Sequence, residues 1–335
     1  MILLLSIMLI SFSYFIVKYK NNKEIIETCD LIDTEMVYLA LDETLCIDYE
    51  IDYIDEYVTI SENVITANNV GETVIEVEHC KNLDIIVTDI YEKANLNNNK
   101  AYLKDGQYSA EDNKLLDNIL EYKINNVGYQ SRAAVVEAAR FLLLNFKYKL
   151  NYFYENGRLD TDDKDNICDG EGRYYHLGLY LSDCKYEEIS ISQNGLAYWG
   201  KELYCDYEEE YCPNGLDCSG FISWALLNGG YDCKDIGSGP SKGVLDLSDL
   251  GDLTYIYDVD INKIKVGDLV GLDGHIGMII GIDGTNIYIG EAYWINDLNV
   301  RTYSYREFLQ DSEWEYVLYM DTYYKEDGNL SNMWY

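Results

Sequence analysis

The stretch Asn214-Gly215-Leu216-Asp217-Cys218-Ser219-Gly220-Phe221-Ile222-Ser223-Trp224-Ala225-Leu226-Leu227 constrains the fold more than any other part of the chain. It reads as a helix start that carries a thiol. Asp217 is a good N-cap and Leu216 a hydrophobic staple, while Phe221, Ile222, Ala225 and Leu226 recur at helical spacing until Asn228-Gly229-Gly230 ends the run. Cys218 then falls in the first turn, where backbone N–H groups without helical partners and the positive end of the helix dipole favour thiolate over thiol. The competing reading of a lone cysteine is a buried structural side chain beside a packed helix.

Further along, Val266-Gly267-Asp268-Leu269-Val270 leads through a short turn to Gly274-His275-Ile276-Gly277-Met278-Ile279-Ile280-Gly281. The second run is an apolar strand with a histidine at its start. Of the three histidines, His79 lies in a strand-rich segment and His176 in a tyrosine-rich, loop-like one, which leaves His275 as the candidate base. A cysteine at a helix start followed by a histidine on a strand is the order of papain-like thiol chemistry. There the imidazole takes the thiol proton and the resulting ion pair attacks a carbonyl.

Asp217-Cys218-Ser219-Gly220-Phe221, Gly267-Asp268-Leu269 and His275-Ile276-Gly277, in that order, resemble the NlpC-type cell-wall cysteine peptidases of the NlpC/p-sixty superfamily, over roughly Gly195 to Tyr319. The resemblance implies a papain-like α+β core over 195–320 that cleaves peptide bonds in bacterial peptidoglycan stems. The bond typical of the family joins γ-linked D-glutamate to the diamino acid. Peptidoglycan peptides are then the partner, and no cofactor is needed. Cys218 is expected as nucleophile, with its own backbone N–H as oxyanion donor, and His275 as base and then acid.

Glu291, in the strand Ile287-Tyr288-Ile289-Gly290-Glu291-Ala292, occupies the place where that family commonly has a second histidine. A carboxylate can orient His275 and stabilise imidazolium. In having a glutamate there the chain resembles the CHAP-type amidases and peptidases. An exposed strand-end carboxylate without a role is the competing reading. Asp217, matching the family's Asp-Cys-Ser pattern, is expected both to cap the helix and to hold the free amine of an L-Ala-D-Glu stem, with Ser219 beside it. Trp199, in Tyr198-Trp199-Gly200, either lines the groove or packs in the core. Three functions therefore stand: a stem-peptide endopeptidase, a CHAP-like N-acetylmuramoyl-L-alanine amidase or endopeptidase, and a non-catalytic surface-binding or adhesion protein in which the thiol is incidental.

The formal net charge of −35 excludes nucleic acid as a partner, since that binding needs Lys and Arg to displace counterions from phosphates. With Cys218 set aside as a thiol, Cys29, Cys46, Cys80, Cys168, Cys184, Cys205, Cys212 and Cys233 remain, an even set suited to disulfides in an exported protein. Structural zinc is disfavoured because no pair has C-x-x-C spacing. Ile2 to Val17 is apolar and uncharged and is followed by Lys18, Lys20 and Lys23, so residues 1–22 read as a membrane anchor or signal segment. Lysines after the run would by the positive-inside rule leave the body in the cytoplasm. A wall hydrolase must nonetheless reach the wall, so the expected location is the bacterial cell surface, membrane-anchored or secreted.

Residues 36–92 hold short β-branched runs, among them Tyr57 to Ile60, Asn63 to Thr66, Thr73 to Val77 and Asp84 to Thr88. The order Val64-Ile65-Thr66-Ala67, then Val70-Gly71-Glu72-Thr73-Val74-Ile75, then a Val-Thr strand resembles bacterial Ig-like (Big) modules. That implies a small all-β sandwich serving as spacer or wall binder, which a Cys46–Cys80 bridge could staple. A linker spans 93–108. Residues 109–194 form a helical, loop-rich extension of the enzyme, with a capping box at Ser109 to Asp112 and a helix from about Ser131 to Phe146. The acidic run Asp160 to Asp169 lacks the ligand register of an EF-hand and reads as a solvated loop, and the flanking Glu155 to Arg158 and Gly170 to His176 as one wall of a groove or a tyrosine-rich surface. Residues 321–335 are a tail.

Overall fold

The computed structural model describes residues 33–78, 81–153, 199–200, 202–205, 210–231, 236–237 and 247–335. The chain divides into two compact units, Met1–Asp89 and Ile90–Tyr335. The apolar run Ile2 to Val17, the acidic run, His79, His176 and Cys80 lie outside the described residues.

The first unit contains two small sheets. One has the order β1 (Asp33–Ala40), β7 (Lys81–Thr88), β6 (Gly71–Glu78), with β1 parallel to β7 and β6 antiparallel to it. The other has the order β2 (Thr44–Cys46), β5 (Val64–Ala67), β4 (Val58–Ser61), β3 (Tyr53–Ile54). Alternation makes the buried faces: Val58 and Ile60, Ile65 and Ala67, and Leu83, Ile85 and Val87 all point inward. The β4–β5 hairpin turns on Glu62 and Asn63, both with positive φ, the backbone of a type I′ turn whose twist suits a hairpin. Cys46 is an exposed free thiol on β2, so the expected Cys46–Cys80 staple is not made.

In the second unit the local chemistry sets the helices. Ser109 and Asp112 form a reciprocal capping box that starts α1 (Ala110–Val127), and Ser131 Oγ accepts from Ala134 N to start α2 (Arg132–Arg140). The helix expected to reach Phe146 instead ends at Arg140 and continues as a π-turn, Phe141–Asn145, before Phe146 turns extended. Two short pairs follow: β9 (Glu202–Cys205) with β10 (Glu210–Pro213), and β8 (Asn151–Tyr152) with β11 (Gly215–Leu216). Next come α3 (Cys218–Asn228) and a six-stranded sheet. Its order is β12 (Asp252–Tyr255), β17 (Tyr316–Tyr319), β13 (Leu269–Leu272), β14 (His275–Ile282), β15 (Asn286–Tyr293), β16 (Asp297–Ser304), and every pairing is antiparallel. The short α4 (Tyr305–Gln310) follows β16. The sheet's main cluster joins Val270, Ile279, Ile287, Ile289 and Val317 to Phe308 and Trp314, and α3 packs against α2, β14 and β15. Each such aliphatic side chain removed from water contributes about 1.5–3 kcal/mol, which is what holds the site's strands in register.

These observations correct the expected fold class of a small Ig-like sandwich followed by an α+β papain-like domain. The described chain is mostly β-sheet, with seventeen strands and four α-helices among the described residues. No helix among them is long and apolar enough to cross a membrane. Most of the strands are short, and several carry glycine or lie in continuous apolar runs such as Ile276 to Ile282, where periodicity says least.

The Gly267-Asp268 motif proves to be a structural hub. Asp268 Oδ2 accepts from Lys265 N at 2.8 Å, and its Oδ1 accepts from Met320 N at 3.0 Å and from Arg132 Nη1 at 2.8 Å. Arg132, itself fully buried, also pairs with Asp321 and with Asp327 at 3.1 Å. Burial pushes the Asp268 carboxyl above its ordinary range, against the pull of these donors. Gly267, at φ +91°, must be glycine on two counts, because a Cβ there would also lie 2.9 Å from Arg132 Cγ. Residues 326 and 327 cap the start of α2 through bonds from Arg132 N and Ala133 N, at 2.9 and 3.0 Å.

Candidate active site

Asp217 builds the helix start by taking extended backbone and accepting from Gly220 N at 2.6 Å through Oδ1, which Ser219 Oγ also approaches at 3.3 Å. That arrangement satisfies one of the N–H groups at the helix start and makes Cys218 the first helical residue, at the positive end of the dipole. The thiol is buried, and Sγ lies 4.0 Å from Gly274 O, the peptide preceding His275. Gly274, at φ +86°, closes the two-residue turn that joins β13 to β14 across the Leu272–His275 pair.

His275 opens β14. Its Nε2 lies 2.7 Å from Oε2 of Glu291 on β15, both groups being buried. Where Glu291 is ionised its carboxylate only accepts, so Nε2 then carries the proton and Nδ1 is the ring nitrogen left without one. The ring is held by Trp314, stacked at 5.4 Å and 19°, and by Tyr293 at 4.6 Å. Gly277, two residues along β14, makes room for this stack, since a Cβ there would come within 3.3 Å of the Trp314 ring and 2.9 Å of Ile289.

Glu291 is 0% exposed. The β15–β16 register sets it opposite Asn299 and brings Arg301, two residues further along β16, to 3.6 Å from Oε1 through Nη1. Tyr316, on β17, reaches over Gly271 with a buried hydroxyl that makes no hydrogen bond among the described residues. Burial, then the charges of Glu315, Cys218 and Asp273, raise its pKa. Because a Cβ on Gly271 would fall 2.2 Å from that hydroxyl, Gly271→Ala is expected to cost ~1–3 kcal/mol. Urea unfolding is the check, and a variant as stable as the parent would show that Tyr316 moves freely.

Cys218, His275 and Glu291 thus sit on adjoining elements around the β13–β14 turn. The three residues expected to bind substrate are all buried, and Asp217 caps the helix as expected. Asp217 and Ser219 are buried and engaged in capping. Trp199 is 2% exposed, exchanges two 2.9 Å hydrogen bonds with Asn113 of α1, and packs edge-on against Phe146 and Trp224. Its place is the core. Arg301 and Trp314 complete the site without a local sequence signal; the one trace of Arg301 is that it follows Glu291 across the β15–β16 hairpin.

No family model matches the chain, and no curated protein matches it.

Proposed function

We propose that the chain is a cysteine-type hydrolase of peptidoglycan stem peptides, acting at the bacterial cell surface on the bond between γ-D-glutamate and the diamino acid. The observation that carries this reading is the buried His275–Glu291 pair at 2.7 Å, set beside a thiol at a helix start. A surface-binding protein has no use for that arrangement. In the first step His275 Nδ1 takes the proton from Cys218 Sγ, and the thiolate adds to the scissile carbonyl carbon. The Cys218 backbone N–H, at the start of α3, supports the oxyanion. Collapse breaks the C–N bond as His275 returns the proton to the leaving amine, which leaves a thioester. Water, deprotonated by His275, then releases the acid and restores the thiol. Glu291 keeps the imidazole in one tautomer and stabilises its cationic form.

Glutamate as the orienting group also supports the CHAP-like reading, an amidase cutting between N-acetylmuramic acid and L-alanine. Muropeptides bearing the sugar and the complete stem distinguish the two. The endopeptidase releases a diamino-acid N-terminus and leaves L-Ala-D-Glu on the sugar, whereas the amidase releases the whole stem. Exclusive formation of free stem peptide by the wild-type protein overturns the endopeptidase assignment.

A further inference from the structure

Glu291 poses an electrostatic problem that the triad alone does not solve. It is a fully buried carboxylate whose one hydrogen bond among the described residues is accepted by Oε2 from His275 Nε2, and Oε1 accepts none from them. After His275 gives its proton to the leaving group the imidazole is neutral, and an isolated buried carboxylate is then costly, more so than a paired one. A cation lies at hand. Arg301 Nη1 is 3.6 Å from Oε1, and the same nitrogen pairs with Glu313, so the guanidinium bridges the buried acid to a half-exposed one. Its plane also lies against Tyr303, at 5.2 Å, and Trp314, at 5.9 Å, the ring that stacks on His275. Burial opposes the charge on Arg301, but Glu313 and Glu291 outweigh it and keep the guanidinium protonated.

We infer that Arg301 is a positioning residue of the site: it holds Glu291 as a carboxylate through the part of the cycle in which His275 is neutral, and with Trp314 it fixes the imidazole. It touches neither the nucleophile nor the substrate. The inference rests on the proposed thiol chemistry but not on the identity of the substrate. The groups that surround the pair are His275 from β14, Tyr293 from β15, Arg301 and Tyr303 from β16, and Glu313 ahead of β17. On the thiol's side Asp273 and Tyr316 face the site. Arg301 is the one permanent cation in this set, so removing it makes every proton in the set harder to remove.

The test is the pH dependence of Cys218 alkylation by iodoacetamide, read site by site by peptide mass mapping on the full chain, alongside hydrolysis of a stem peptide. Arg301→Met is expected to move both limbs of the alkylation profile up by about one pH unit, the lower end of the shift that a charge within 4–6 Å produces. It should also lower kcat about 10- to 100-fold with KM little changed, since the interaction acts on the chemical step. Arg301→Lys should restore most of both. Glu313→Gln, at a half-exposed position that folding tolerates, should move the limbs the opposite way. A packing role alone would change amplitudes and leave the limbs in place. Unmoved limbs in Glu313→Gln and in whichever Arg301 variant folds overturn the inference, even if the wild type cleaves stem peptides. Limbs that move as expected in a protein that cleaves no stem peptide sustain the inference and refute the substrate reading.

Discussion

Cys218→Ala and His275→Ala are each expected to lower turnover of a stem peptide by about 10⁴- to 10⁶-fold, the range seen when a nucleophile or its base is removed from a three-residue unit. The expectation follows from the division of labour. Without Cys218 there is no thioester, and without His275 the thiol is protonated at neutral pH and the leaving amine departs without its proton. Glu291→Gln keeps the shape of the side chain and loses its charge, so the imidazolium loses its stabilising partner. Its effect should be smaller, about 10- to 10⁴-fold. Combining Glu291→Gln with either of the other two should add almost nothing, because the three act together. Rates on a synthetic peptide, with folding verified by circular dichroism, measure all five variants. Multiplying effects in the double variants would mean that Glu291 acts apart from His275, contrary to their 2.7 Å contact.

The second large effect concerns stability. Arg132→Ala is expected to cost ~3–5 kcal/mol, because it leaves the buried Asp268 without its cation while the exposed Asp321 and Asp327 simply return to water. Against a total of about 5–15 kcal/mol for an ordinary domain, that is enough to leave much of the protein unfolded. The double variant Arg132→Ala with Asp268→Ala should lose less than the sum of the singles, since neither charge is then stranded. Urea unfolding of the four proteins measures the coupling. Additivity would show that the two side chains act independently despite their 2.8 Å contact.

Local signals in the sequence carried the elements whose hydrogen bonds are themselves local. Asp217 caps α3 and Asn228 ends it; Ser109 and Asp112 box the start of α1; His275 begins its strand. What depends on partners distant in sequence was not legible. The parallel pairing of β1 with β7 joins segments more than forty residues apart, and the π-turn after Arg140 answers to what packs around Phe141 and Phe146 rather than to their own preferences. The Gly267-Asp268 motif entered only as part of the resemblance, and the Asp268 side chain ties the start of β13 to α2 and to the segment after β17. Trp199, read as a possible groove wall, is held in the core by Asn113. Glu291 was a candidate through the resemblance to the NlpC-type peptidases, which marks its place on the strand after His275, but the cation beside it follows from the β15–β16 register, which no local pattern states.

Digestion of purified peptidoglycan by the wild-type protein and by Cys218→Ala, with the soluble products identified by mass spectrometry, tests the central claim most directly. The wild type is expected to release fragments with a new diamino-acid N-terminus paired with a new γ-D-glutamyl carboxylate, and the variant none. Equal release by the two proteins, or new ends at the sugars in place of the peptides, would contradict it.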